Sequence, residues 1–556
     1  MAHDATPSPK SFDHNWVGLG LAHALPLIAG AAAGMGFVYL MLRPQWGDQT
    51  WLLFAARRTM DLGSFAFEDL VEANPPLIVW LSSLPVALGR SLGISLQAAL
   101  QGCLVVLAAV TIAWSTILVR RIGGARFAGW FVPVLLFATL IHPWVHYGQR
   151  EHIMLFFVMP YLVIAAGRME GISPSIAGGV AAGLLAALGF LLKPHNLVVV
   201  LAIEALLLAR TRDLRTMVRP EMVAMVATGL AYPMAILLWA PDYVFKILPL
   251  LLSTYHDYHR AELWELILPM RGLKMALVAL LWLALRRRLP HRSFATVLLL
   301  AAIGTTIGHV AQFKAHESHL VPSLAFFDLL FGVIVIDCWL LWAAPRMQPI
   351  ALRPAVVLGS LAFVAAVALC HPLQLARASH GNYTDDRIAV QRAMSADVPR
   401  GSTVLILSTA TEAVFEQVLD RGWEWGSRFM CLWMLPAIAN AETDRDGQPA
   451  LATIRNVARM TRDAILADFA RWHPNPVLVD RCQDTTFAPC MGIGTLRMDL
   501  MQWLEEDPRF AKVWTDYVLE GQAGPYDLWC LKGEPDVCRR ILKDAEALVN
   551  LKATRR

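Results

Sequence analysis

The chain has 556 residues, of which 56% are hydrophobic and only 17% charged, and its formal net charge is +4. Mean hydropathy is +0.48. A composition this apolar excludes an ordinary soluble enzyme, and so small and dispersed a charge excludes a nucleic-acid surface; it implies a polytopic membrane protein with a soluble part attached.

The first apolar segment, 16–42, is too long for a signal-peptide core and lacks a small-residue cleavage site, so it reads as an uncleaved anchor behind a cytoplasmic tail, 1–15. The loop that follows, within a first periplasmic loop of 43–93, reads RPQWGDQTWLLFAARRTMDLGSFAFEDLVEANPP from Arg43 to Pro76. Asp48 sits just past the membrane exit, and Glu72 precedes Asn74-Pro75-Pro76 at the re-entry. A carboxylate held at a membrane rim is costly to desolvate and points to function. On charge alone, a solvated loop that spaces two helices is an equal alternative.

Runs of spanning length follow at 94–119, 127–144, 152–167, 174–192, 196–209, 221–240, 269–285, 293–312, 320–343 and 353–370, giving about eleven helices with the first. Residues 76–88 are too short to span and carry Pro85, so they predict an interfacial or re-entrant helix. With that assignment, Arg120/Arg121/Arg126, Arg210/Arg212/Arg215/Arg219, Arg286/Arg287/Arg288/Arg292 and Arg346/Arg353 all fall on the cytoplasmic side. Only the N-terminal tail, with Lys10 as its one basic residue, goes against this orientation.

The opposite face then collects a different set of ionisable residues. Besides Asp48 and Glu72 it holds His142, His146, Arg150, Glu151 and His152, then Lys193 and His195. Further on come His256, Asp257, His259 and Arg260, and finally Lys314, His316, Glu317 and His319. One histidine at a helix end is ordinary packing; several loops converging with His, Lys, Arg and carboxylate predict a site.

Residues 371–556 read as a small periplasmic α/β domain. Strands are predicted at Thr403–Ser408 and Pro476–Asp480 and extended runs at Val513–Leu519 and Tyr526–Leu531. Helices are predicted over Glu412–Leu419, 449–471 and 494–506. No glycine-rich phosphate fingerprint follows either strand. Cys103, Cys338 and Cys370 lie in apolar spans as small hydrophobes. In an oxidising compartment Cys482 pairs with Cys490 and Cys530 with Cys538, leaving Cys431 as a buried thiol.

No ATP motif and no metal-spaced Cys/His cluster occurs. Group transfer on the outer face therefore needs a donor delivered through the membrane, and a lipid-phosphate sugar meets that need. Such a transfer requires a carboxylate base for the acceptor proton, a role that suits Asp48. It also requires cations at the departing phosphate, for which Arg150, Lys193 and His195 are placed. The loops bearing His152, His256, His259, Arg260, Lys314, His316 and His319 are expected to close over donor or acceptor.

Several features carry a family resemblance: Asp48 soon after the first helix, Glu72 before NPPLIVWL, the second-loop segment YGQREHIMLF, and a C-terminal periplasmic domain. The chain resembles the GT-C superfamily of polyprenyl-phosphate-sugar glycosyltransferases, in the grouping of dolichyl-phosphate-mannose–protein mannosyltransferases and aminoarabinose transferases. That resemblance implies a multi-pass protein of the bacterial inner membrane. It would transfer a sugar, with inversion, from a polyprenyl-phosphate donor to a hydroxyl, amine or phosphate of a periplasmic glycan, lipid or protein. It also implies Asp48 as base, with Glu72 beside it, and Glu151 as the second-loop acid that positions substrate or, with Asp48, a divalent cation such as Mg or Mn. The sequence departs from its relatives at Arg150-Glu151-His152, where many of them have Asp, which leaves the cation open. A lipid-linked sugar transporter or flippase, and an O-antigen-ligase-type transferase, are the competing readings. The first usually carries midplane polar residues in related halves, the second a large periplasmic element between helices.

Overall fold

A computed structural model describes residues 48–143, 146–258, 262–267, 270–314, 316–343, 385–409, 414–443, 450–481 and 498–553. The expected tail 1–15, the spans 16–42 and 353–370, His259, Arg260, Cys370 and the Cys482–Cys490 pair lie outside the described residues.

The stretch expected as a loop after the first span is largely helical. Its first helix, α1, runs Asp48–Leu62, and α2 runs Leu77–Leu92, started by Pro76 and ended by Gly93 in a left-handed conformation. Next comes α3, Leu96–Leu136, capped by the Ser95 hydroxyl accepting from Ala98 N–H. Two spans with an Arg-bearing loop were expected here. Instead the connection shrinks to a break at Gly124, whose φ of 76° a side chain would resist.

The bundle continues with α4 (Arg150–Met169), α5 (Ile176–Leu192), α6 (Leu197–Thr211) and α7 (Pro220–Trp239). Short helices α8 (Leu248–Thr254) and α9 (Leu263–Ile267) lead to α10 (Met270–Leu285), α11 (Arg292–Val310) and α12 (Val321–Cys338). Six helical stretches among the described residues are long and apolar enough to cross a membrane: 96–141, 150–169, 194–211, 220–239, 292–310 and 317–341. Shorter apolar helices cover 77–92, 176–192, 243–254 and 272–285.

The central helix is α4. It is buried almost throughout and packs against α3, α5, α6, α11 and α12. At its C-terminal end Arg168 donates through Nε and Nη2 to the two oxygens of Glu221, Arg219 pairs with Glu204, and Tyr161 donates to Glu204. These buried polar groups satisfy one another and staple α4, α6 and α7 at one end of the bundle. The N-terminal end of α4, with Arg150 and Glu151, therefore opens in the middle of the other end.

The C-terminal domain adds α13 (Asp385–Asp397), β1 (Thr403–Leu407), α14 (Phe415–Arg421), β2 (Glu424–Trp425), α15 (Leu435–Thr443), α16 (Ala450–Trp472) and β3 (Val477–Asp480). It ends with α17 (Leu500–Glu505), α18 (Pro508–Trp514), β4 (Tyr517–Ala523), β5 (Tyr526–Leu531) and α19 (Asp536–Ala553). Its sheet has the order β2-β1-β3-β5-β4, with β1 parallel to β2 and β3, and β5 antiparallel to β3 and β4. One expected strand starts late: Val513 and Trp514 end a helix, because Asp507 caps Arg509 N–H and Pro508 presets the first turn. Cys530 and Cys538 form a disulfide with a Cα separation of 6.2 Å. Cys431 is a buried thiol, and Cys103 and Cys338 are half-buried ones.

The domain clasps α1. Arg58 is buried and donates to the Glu424 carboxylate, Trp425 O, Ser427 O and Asp69 O, while Phe54 and Trp472 flank its guanidinium. Arg471 donates to Asp69 across the same seam, and Val71 pairs with Phe429 in a parallel bridge.

Candidate active site

Asp48 begins α1 at the open end of the bundle, and its side chain is 31% exposed. Its Oδ2 accepts from Arg150 Nη2 at 3.0 Å, while the neighbouring Gln49 side chain donates to Tyr147 O. Next to Arg150 in sequence, Glu151 faces Lys193 Nζ at 2.6 Å and His319 Nε2 at 3.5 Å. Lys193 reaches this position because α5 ends on it and Pro194 turns the chain into a short 3-10 segment. Asp48, Arg150, Glu151, Lys193 and His319 thus come together from four separate stretches of sequence.

The buried polar atoms here are not all satisfied. Among the described residues, Arg150 Nε and Nη1, Gln149 Oε1 and His319 Nδ1 have no hydrogen-bond partner, whereas nine in ten buried polar groups in folded proteins have one. Gln149 precedes α4 without capping it through its side chain. First-turn N–H groups have no partner within a helix, and the helix dipole adds positive potential there. A guanidinium edge at such a terminus is equipped to receive an anion.

Glu72 lies behind this row and is buried. One oxygen accepts from the Trp51 indole N–H, and the other from Asn74 N–H at 2.8 Å and from the Asn74 side chain. Burial pushes its carboxyl up from the usual range, while the Asn74 and Trp51 donors and the charge of Arg150 pull it part of the way back.

The other expected residues divide by what they touch. His195 meets Gln312 Nε2 at 3.0 Å beside Gly308, where a Cβ would run into Asn196 and His195. Lys314 donates to the carbonyls of Tyr255, His256 and Tyr258 beneath the Tyr255 ring, so it ties the 255–258 loop down. His316 stands 5.3 Å from the His319 ring and 6.4 Å from the Tyr258 ring. Burial lowers His316 to about 4, with Asp48 opposing and Lys193 and Lys314 reinforcing the shift. His256 is largely exposed against Asp257.

His152 is not brought to the site. Its Nδ1 accepts from Gly148 N–H and its Nε2 meets Thr139 O, between the Tyr147 and Phe156 rings, so it braces the loop before α4. Asp48 and Glu151 do not fit a divalent cation as they stand, because each already faces a resident cation. No group of three metal-binding side chains occurs among the described residues.

Trp51, Asn74 and the segment Phe429–Trp433 were not foreseen. Tyr255 packs edge-on against Trp433 at 5.6 Å, and the Tyr258 hydroxyl lies 3.8 Å from Cys431 Sγ, so the C-terminal domain roofs the loop. Trp51 had a signal: it lies three residues after Asp48, on the same helical face.

No family model matches the chain, and no curated protein matches it by sequence. Solved structures resemble it in fold. ArnT from Cupriavidus metallidurans in the apo state aligns with a TM-score of 0.52 and 15% identity, covering 93% of this chain and 97% of that one. The same protein bound to undecaprenyl phosphate aligns with a TM-score of 0.52 and 14% identity, covering 93% and 98%. An oligosaccharyltransferase from Archaeoglobus fulgidus aligns at 0.39 and 13% identity, too distant to support an argument. The chain has the ArnT fold: a helical membrane bundle with a small C-terminal sheet domain.

Proposed function

We propose that the chain is an inverting membrane glycosyltransferase of the GT-C type that takes a sugar from a polyprenyl-phosphate donor. The observation that carries the reading is the buried Arg150 guanidinium at the α4 N-terminus, whose Nε and Nη1 have no hydrogen-bond partner among the described residues, next to partly exposed Asp48. The ArnT fold, in a protein crystallised with undecaprenyl phosphate, supports the donor class.

Arg150 donates to the donor phosphate through the guanidinium N–H groups that Asp48 does not use, and the first turn of α4 adds its N–H groups. Asp48, paired with Arg150 Nη2, accepts the proton of the acceptor hydroxyl as that oxygen bonds to the anomeric carbon. The bond from that carbon to the phosphate oxygen breaks, and the lipid phosphate keeps the electron pair and leaves against Arg150. Attack opposite the leaving group inverts the anomeric centre. Lys193 is committed to Glu151 and acts on the phosphate through its field, not as a direct ligand. No step is routed through a metal.

The Arg clusters support a periplasmic site: Arg210, Arg219, Arg286 and Arg292 sit at the far ends of helices whose near ends carry His195, Lys314 and their neighbours. The sheet domain follows the bundle in sequence instead of interrupting it, unlike the arrangement expected of an O-antigen-ligase type.

Binding of undecaprenyl phosphate to the purified chain tests the reading. Wild type and Asp48→Asn are expected to bind alike, and Arg150→Ala at least about tenfold more weakly. Equal binding by Arg150→Ala would remove Arg150 from the phosphate site.

A further inference from the structure

We propose that Trp51 is the positioning residue through which the C-terminal domain sets Glu72. The inference rests on the preceding reading of Glu72 as a site carboxylate.

The contacts close on themselves. Trp51 is 1% exposed and donates its indole N–H to Glu72. The Trp51 ring meets Phe415 of the C-terminal domain edge-on at 4.9 Å, and Phe415 packs on Trp425 at 4.7 Å. The Trp425 indole N–H donates to Phe429 O at 2.8 Å, and Phe429 bridges Val71, the residue before Glu72. Val71 N–H in turn donates to Arg428 O at 2.8 Å. Glu72 is thus held from both sides by the same domain, once through the Trp51 side chain and once through the backbone of Val71, the residue before it.

A purely packing tryptophan would need only some acceptor for its N–H, and a backbone carbonyl is the usual one. Here the acceptor is a carboxylate beside the Asp48–Arg150 pair, with no cation within ion-pair distance among the described residues. Asp48 shares the face of α1 on which Trp51 sits, so the rotation that points Trp51 at Glu72 also points Asp48 at Arg150. Docking of the domain and geometry of the site are therefore one event.

The test uses the full chain in detergent: wild type, Trp51→Phe, Glu72→Gln and the double variant. Trp51→Phe keeps a ring against Phe415 and removes the N–H together with part of the indole volume, a loss of packing common to both backgrounds. Its unfolding midpoint should drop by about 2 °C more with Glu72 present than in the Glu72→Gln background, where a neutral amide oxygen is the weaker acceptor. The gap should widen from pH 5 to pH 8, because the hydrogen bond is strongest to the ionised carboxylate. Affinity for undecaprenyl phosphate should stay within about twofold while sugar transfer falls about tenfold.

Equal midpoint losses in both backgrounds would make Trp51 packing only and overturn the inference. So would full coupling with unchanged transfer. If no protein, wild type included, binds undecaprenyl phosphate, the functional reading fails while the coupling still decides this one. Should Trp51→Phe misfold, Phe415→Leu takes its place. Phe415 does not touch Glu72, so additivity with Glu72→Gln is the default and would contradict the closed ring.

Discussion

Arg150 and Lys193 carry the same charge but have different partners, Asp48 and Glu151, and should respond differently to loss. Lys193 is the ion partner of buried Glu151, so Lys193→Gln strands a carboxylate and is expected to cost about 3 kcal/mol of stability. Adding Glu151→Gln should restore most of it; thermal unfolding of the two variants reads this directly. Asp48→Asn should leave folding and lipid-phosphate binding intact and lower turnover by about two to four orders of magnitude, measured at saturating donor. His316 predicts a pH effect. Its folded value of about 4 lies below the ordinary 6.5, so protons favour the unfolded chain between those limits and stability falls as pH drops through them. His316→Asn should therefore gain on wild type in unfolding midpoint as pH goes from 6.5 to 4. A gap that does not change with pH would show that His316 takes up its proton in the folded chain as readily as in the unfolded one. Asp48, Glu72 and Arg150 were legible in the sequence because ionisable residues stand out against apolar runs. The pairing of Lys193 with Glu151 was not, since it depends on where the end of α5 meets the start of α4.

At the level of elements, strongly periodic segments were readable and turns were not. The long amphipathic helix at 449–471 appears as α16, and Tyr526–Leu531 is β5 to the residue. Helix α1 was missed because its polar residues suggested a loop. Arg57 and Arg58 are instead held by Trp423 O and Glu424, 366 residues away in the case of Arg58 and Glu424. The loop 255–258 was expected to be mobile, and Lys314 ties it through three carbonyls. Lys314→Met should release it from Trp433 and Cys431. In a chain with Cys103, Cys338 and Cys370 changed to Ser, Cys431 should then react with a maleimide several-fold faster than with Lys314 intact. An unchanged rate would mean that the roof, not Lys314, holds the loop.

For the whole molecule, composition and charge asymmetry were enough to reach a membrane bundle with a C-terminal sheet domain, because hydropathy is a property of segments. How the domain sits was not legible: Arg58, Trp51 and Val71 meet partners hundreds of residues on, and nothing local in the sequence marks such contacts. The account's central claim is transfer from a lipid-phosphate sugar, and the most direct measurement compares cells making wild type with cells making Asp48→Asn. Mass spectrometry would follow both the polyprenyl-phosphate sugars and the lipid A, envelope glycans and glycoproteins. The account predicts that, with Asp48→Asn, one polyprenyl-phosphate sugar accumulates while a single sugar increment disappears from one acceptor pool. No change in either the donor or the acceptor pools would contradict it.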